Sequence, residues 1–366
     1  MSRTRFVTLL TLTSLGALSG CERKQEPVAP PTTASAPKPP GPKPMTPEQL
    51  SHFFRPTPTA KDAKPVPQDT EAQVALGRML FFEPRLSKNH DVSCNTCHGL
   101  DTYGVDNKAL SDGHRGQKGS RNSPTVYNAA GHIAQFWDGR ADTLEAQASG
   151  PILNPVEMAM PDERRVVATL SSMPEYVTRF RDAFPGDKKP VSLANAARAI
   201  AAFERGLTTP SRFDQYLAGQ HSALSEAEQR GLQLFVVTGC TTCHNGPAVG
   251  GTSFQKLGLI EDYPGLKDAG RFDATKNEDD RGKFRVPTLR NVERTGPYLH
   301  DGSVEELPTM VRLMAKHQLA RTLTDAEVDD LVAFLKSLTG ELPPREHIAA
   351  PPLPPSTKKT PEPDPS

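Results

Sequence analysis

The chain has 366 residues with 43 basic and 43 acidic side chains, so no excess charge points to nucleic acid or to an acidic substrate. That length allows two or three domains and a sizeable core. Its 36 prolines gather at the two ends, which predicts a folded middle between disordered flanks.

Residues 1–20 read as an export signal. Arg3 and Arg5 precede the apolar stretch "FVTLLTLTSLGAL", which is too short to span a membrane as a helix. Leu18-Ser19-Gly20-Cys21 resembles a bacterial lipoprotein box, in which the cysteine is lipidated. An ordinary cleaved signal with an incidental cysteine is the plainer alternative. Glu22, by the same resemblance, favours the outer membrane. Residues 21–67, with "EPVAPPTTASAPKPPGPKP", read as a stiff, extended tether. Residues 346–366, with "PPLPPSTKKTPEPDPS", read as a disordered tail. The expected place is the periplasm, with membrane contact only through the lipid.

Next come two matching helices. "DTEAQVALGRMLFF" (69–82) and "LSEAEQRGLQLFVV" (224–237) each open with a capping pattern, Thr70-x-x-Gln73 and Ser225-x-x-Glu228. Both carry apolar residues at helical spacing. Each delivers the chain to a pair of cysteines followed at once by histidine: Cys94/Cys97 with His98, and Cys240/Cys243 with His244.

The other one of the five cysteines is Cys21. Disulfides, a zinc site and a redox CxxC are the competing readings. None of them accounts for a histidine after both pairs. The spacing is that of c-type haem attachment: two thiols bond the haem vinyl groups and the adjacent histidine reaches the iron. Two covalently bound haem c groups are therefore expected.

The likeness continues downstream. "PTVYNAAGHIAQFWDGRADTL" (124–144) and "PTLRNVERTGPYLHDGSVEEL" (287–307) coincide at Pro-Thr, Asn, Asp-Gly and Leu with a constant offset of 163. This predicts a mainly α-helical chain of two related haem domains, 68–208 and 209–345, divided near "TTPSRFD". The helix at 192–207 ends the first domain and that at 323–338 the second. The same offset pairs Trp137 with His300 and Pro151 with Met314. Met314 is a candidate sixth ligand, giving a His/Met haem of the electron-transfer type. Met310 and Met158 are rivals, and core packing is the alternative for all three. Proline cannot ligate iron, so the first haem is the candidate for chemistry.

On these residues the chain resembles the bacterial dihaem cytochrome c peroxidases. The likeness spans about residues 68–350 and includes "LFFEPRLSKNHDVSCNTCH", "GHRGQKGSRNSPTVYNA", "AQFWDGRADTLEAQA", "GPILNPVEM", "GCTTCHNG" and "LRNVERTGPYLHDGS". The resemblance implies two cytochrome c-like domains with an interdomain haem and calcium interface. It implies reduction of hydrogen peroxide to water with electrons from a small cytochrome c or cupredoxin, and a homodimer.

By the same resemblance, His98 is the proximal ligand of the peroxidatic haem. His114 is a distal ligand that leaves when the other haem is reduced. Glu157 is the acid–base residue, with Gln147, Pro151 and Phe136 shaping its pocket. Trp137, the only tryptophan, lies between the haems. His244 and Met314 ligate the high-potential iron, and His300 lies near it. Asn122, Thr295 and Pro297 match a calcium site. A dihaem electron carrier and a MauG-like dihaem oxidase of a protein or organic substrate are the alternatives. The latter type has Tyr where this chain has Met314.

Overall fold

A short helix opens the part of the chain that the computed structural model describes, residues 45–57 and 69–366. The expected export signal, Cys21 and the chain before Met45 lie outside the described residues. The helices run in chain order as α1 (Pro47–Ser51), α2 (Glu71–Phe81), α3 (Cys94–Cys97), α4 (Leu144–Leu153), α5 (Glu163–Ser171), α6 (Pro174–Ala183), α7 (Leu193–Arg205), α8 (Arg212–Leu217), α9 (Glu226–Val237), α10 (Phe272–Thr275), α11 (Leu307–Leu319), α12 (Asp325–Ser337) and α13 (Arg345–Ile348). Two short strands, β1 (Phe254–Lys256) and β2 (Lys283–Arg285), pair antiparallel with Phe254 opposite Arg285. No helix among the described residues is long and apolar enough to cross a membrane.

Both expected capping boxes form. Thr70 and Gln73 close the start of α2, and Ser225 and Glu228 close that of α9. Each of these helices packs along the helix that ends its own domain, α2 on α7 and α9 on α12. Glycine sets both approaches. A Cβ at Gly77 would lie 1.8 Å from the Ala199 carbonyl oxygen, and one at Gly231 would lie 1.9 Å from that of Asp330. Around the first crossing Leu76, Leu80, Phe81, Ile200 and Phe203 form a core. Around the second, Phe213, Leu232, Phe235, Leu331 and Phe334 do the same.

The offset of 163 is carried by the backbone itself. Asn128 and Asn291 both adopt positive φ, 61° and 63°. Phe136 and Leu299 do so too, at 65° and 72°, as do Gly139 and Gly302. The bridge Gln135↔Ala141 recurs as Tyr298↔Val304. Helices α4 and α11 begin at matching residues, Leu144 and Leu307. The correspondence therefore reaches Pro151 and Met314.

The two halves meet through buried polar contacts. Asn128 and Asn291 each donate to the hydroxyl of Thr209, which is fully buried at the expected boundary. Arg121 from the first half grips Asp138 of its own half and Asp268 of the second, at 2.5 and 2.7 Å.

Two segments depart from expectation. Residues 45–57, expected within the tether, pack on the second domain. Leu50 and Phe54 are buried in its core, and Phe54 meets Phe213 edge-on at 5.1 Å. The Gly246 N–H donates to the Phe53 carbonyl, and the Thr57 N–H to Asp214. The cause is local: "TPEQLSHFF" carries its own capping box and two phenylalanines that pay for ordering it.

The segment 346–366, expected to be disordered, lies against the first domain. Ile348 and Leu353, with Leu342 just before the segment, pack on that domain's core. Thr360 is buried and its hydroxyl meets that of Ser172 at 2.8 Å. Arg165 donates to the Glu362 carbonyl, and Lys88 to that of Ser366. Proline content alone points to disorder and hides this segment's spaced apolar residues and its polar contacts.

Candidate active site

Each cysteine pair sits on a single helical turn that ends at the following histidine, and in the second domain both thiols and the histidine line one cavity. Ser93 starts the turn of Cys94–Cys97, and the His98 N–H closes it on the Cys94 carbonyl at 2.9 Å. The second pair repeats this, with the His244 N–H on the Cys240 carbonyl at 3.0 Å. No cysteine of the two pairs is in a disulfide. Among the described residues no cluster of three or more His, Cys, Asp or Glu could hold a metal ion by itself.

Burial raises all four thiols, Cys97 to about 11. They are neutral thiols in largely buried surroundings, not exposed reactive thiolates. Burial also lowers both histidines, His244 to about 4. The His98 Nδ1 lies 3.3 Å from the Gly104 carbonyl, which fixes the proton there and frees Nε2 for a metal. These residues fit haem c at both places.

The first cavity is lined by His98, Phe136, Trp137, Gln147, Pro151, Glu157 and Glu204. The loop after α4 positions Glu157. Asn154 caps that helix, and its Nδ2 donates to Glu157 Oε1 at 2.7 Å. Burial pushes the Glu157 carboxyl above its ordinary value, with Arg140 and Asn154 pulling back. Arg140 in turn lies 3.5 Å over the Phe136 ring. Glu204, on α7, is more deeply buried, and its carboxyl is pushed up to about 8 by that burial.

His114 is buried but does not line this cavity. Its N–H donates to the Glu157 carbonyl at 2.7 Å, while its Nε2 lies 3.1 Å from the Ser366 main-chain oxygen.

The second cavity is lined by Cys240, Cys243, His244, Met310 and Met314. Met158 is buried in the first domain's core. Thr295, Pro297 and His300 line the second cavity as well. Asn122 and Trp137 line both cavities. The Trp137 Nε1–H donates to the Asn122 carbonyl at 2.9 Å. Its ring meets that of His300 edge-on at 6.5 Å, so the two residues paired by the offset touch across the interface. His300 stacks on Phe284 at 4.3 Å. The Asn122 Nδ2 donates to the Lys108 and Ala109 carbonyls, which leaves its Oδ1 without a protein donor among the described residues.

Sequence reasoning did not single out Asn154, Arg140, Glu204, His132 or Arg285. Asn154 could have been found from the Asx-turn pattern Asn-Pro-Val-Glu. The others are single residues brought to the cavities by tertiary contacts.

A family model described as di-haem cytochrome c peroxidase matches residues 71–222, and one described as cytochrome c matches 228–339. The chain is 48% identical over 302 residues to the cytochrome c551 peroxidase of Nitrosomonas europaea, covering 81% of this chain and 88% of that one. It is 48% identical over 324 residues to the cytochrome c551 peroxidase of Pseudomonas aeruginosa, covering 86% and 92%. A solved structure of a MauG-like protein associated with microbial copper homeostasis superposes with a TM-score of 0.70 at 32% identity, covering 77% of this chain and 94% of that one. With its duplicated haem-attachment domains and these relatives, the chain belongs to the di-haem cytochrome c peroxidase family.

Proposed function

We propose that the chain reduces hydrogen peroxide to two waters at the first cavity, with two electrons taken from a small cytochrome c or cupredoxin and two protons from solvent. When bound, the haems supply electron storage in the second domain and peroxide reduction in the first. His98 would hold the first haem's iron, and His244 and Met314 would hold that of the second.

The observation that carries this reading is Glu157. It is a carboxyl in the cavity that contains His98, kept above its ordinary pKa by burial and held at Oε1 by Asn154. Such a group can take a proton from one peroxide oxygen and give it to the other. Gln147, Phe136 and Pro151 shape the space around it.

His114 is the proposed removable ligand of the first iron. Gly116 beside it has φ 69° and open space around it, which gives the loop room to move. A His114 that stands outside the cavity wall suits an openable iron better than the permanently closed iron of an electron carrier. Trp137 is proposed as the path between the haems, since among the described residues it alone of the aromatic ones lines both cavities. Asn122, Thr295 and Pro297 are proposed as oxygen ligands of a weak calcium site. The periplasmic location, the lipid at Cys21 and the homodimer rest on the sequence resemblances.

Glu157→Gln is the test. Peroxide turnover by half-reduced protein is expected to fall at least about a hundredfold, with both haem spectra intact. Normal turnover would remove Glu157 from the mechanism. A wild-type protein that consumed no peroxide, with both haems six-coordinate, would favour the electron carrier.

A further inference from the structure

The wall of the second cavity carries buried polar atoms that the protein leaves unpaired. His132 comes from the first domain, on the loop leading to Trp137. Gly251 makes room for its ring, since a Cβ there would lie 2.2 Å from His132 Cδ2. Both ring nitrogens are buried without a hydrogen-bond partner. Arg285 ends β2 and is 3% exposed. Its Nε reaches the Phe136 carbonyl at 3.3 Å, and its Nη1 is buried with no partner. The Ser253 hydroxyl is unpaired too, on the residue whose carbonyl accepts from the N–H of Val286. His132 and Arg285 both line the cavity that holds Cys240, Cys243 and His244.

Arg285 differs from the other buried arginines. Arg85 and Arg290 each grip a carboxylate, at 2.6 and 2.8 Å, as do the half-buried Arg121 and Arg205. Arg285 has no carboxylate partner among the described residues. Burial lowers it only to about 10, so it is charged at neutral pH. A buried cation without an anion is strongly unfavourable. His132, kept neutral by burial and by the Arg285 charge, offers one N–H donor beside it. The cavity asks for an anion with two oxygens, and a haem attached at Cys240 and Cys243 brings two carboxylates.

We propose that Arg285 and His132 bind one propionate of the second haem. Arg285 thereby ties that propionate to the loop that carries Trp137. Its own N–H donates to the Trp137 carbonyl at 2.8 Å, while its Nε faces the Phe136 carbonyl. One side chain thus joins the haem edge, the second domain's strand and the aromatic residue shared by the two cavities. This rests on the haem-attachment reading of the second domain.

A cation at the haem edge favours the reduced haem. In half-loaded redox titrations of the holoprotein, Arg285→Leu is expected to shift the second haem's one-electron equilibrium roughly tenfold toward the oxidised form, about 59 mV. The first haem's midpoint is expected to stay put, and Arg285→Lys to recover part of the shift. In resonance Raman spectra, His132→Leu is expected to move a propionate bending mode of the second haem only. Should Arg285→Leu not accumulate, the Arg285→Lys midpoint and the His132→Leu spectrum decide alone. An unchanged second midpoint with unchanged propionate modes would overturn the proposal. A pyridine haemochrome count of two haems per chain separates that result from failure of the haem reading itself.

Discussion

Asn128 and Asn291 share one acceptor: each side-chain amide donates to the hydroxyl oxygen of Thr209 at 2.8 Å. The two asparagines are equivalent in the repeat, and Thr209 stands between the halves. Thr209→Val keeps the shape but removes the acceptor, leaving two buried amides short of a partner. The loss is expected to be about 1–3 kcal/mol for each amide left unpaired. Equilibrium unfolding in urea measures it. A variant as stable as the parent would mean that the amides find other acceptors.

The glycine crossings make a sharper demand. Alanine is normally the better helix former by about 1 kcal/mol. At Gly77 and Gly231 its Cβ would overlap a carbonyl oxygen of the facing helix. Gly77→Ala and Gly231→Ala are therefore expected to destabilise by about 1–3 kcal/mol, net of the propensity gain. Gly206→Ala, whose nearest atom lies at an ordinary 3.4 Å, is the control.

Glu204 carries a pH signature. Its carboxyl is buried, and burial raises its pKa to about 8 from the ordinary carboxylate value of about 4.5. A carboxyl raised on folding contributes stability that is fully present below its unfolded pKa. That stability is lost as pH rises through the folded pKa, here between about 4.5 and 8. Glu204→Gln cannot ionise. Its Tm is expected to fall less than the parent's between pH 5 and pH 8. Parallel curves would show Glu204 to be already ionised at pH 5.

Met314 and Met310 both line the second cavity. If Met314 is the sixth ligand, Met314→His lowers the second haem's midpoint, because a His/Met pair raises the potential relative to two nitrogen ligands. Met310→Leu leaves it in place. The reverse pattern in a redox titration would move the ligand to Met310.

The segment 351–366 is expected to steady the His114 loop. Removing residues 356–366 takes away the Ser366 oxygen beside His114 Nε2, the Asp364 contact to Lys88 and the buried Thr360. Amide exchange around Gly113 to Gln117 should then quicken. Exchange in that loop at the parent rate would make the contact incidental.

How much of this was legible in the sequence depends on the range of the signal. The thiol spacing, the capping boxes and the offset of 163 are local or repetitive patterns, and they placed both cavities and both halves. The offset pairs Trp137 with His300 as equivalents, and the structure sets their rings 6.5 Å apart, because these equivalent loops meet where the halves face each other. Glu204 and Arg285 carried no such mark. A charged residue in a helix or strand reads as surface until packing shows otherwise. The two end segments misled for a different reason. Composition averaged over a proline-rich stretch hides a few anchoring residues, such as Phe54 and Leu353.

Those anchors cross over. Residues 45–57 precede the first domain yet pack on the second, and residues 346–366 follow the second yet pack on the first. The chain is laced, each half borrowing a flap from the far side of the other. Cutting at residue 209 would strip both halves of part of their cores, so neither is a portable module. Loosening either haem domain must also tug on a thread that fastens its neighbour.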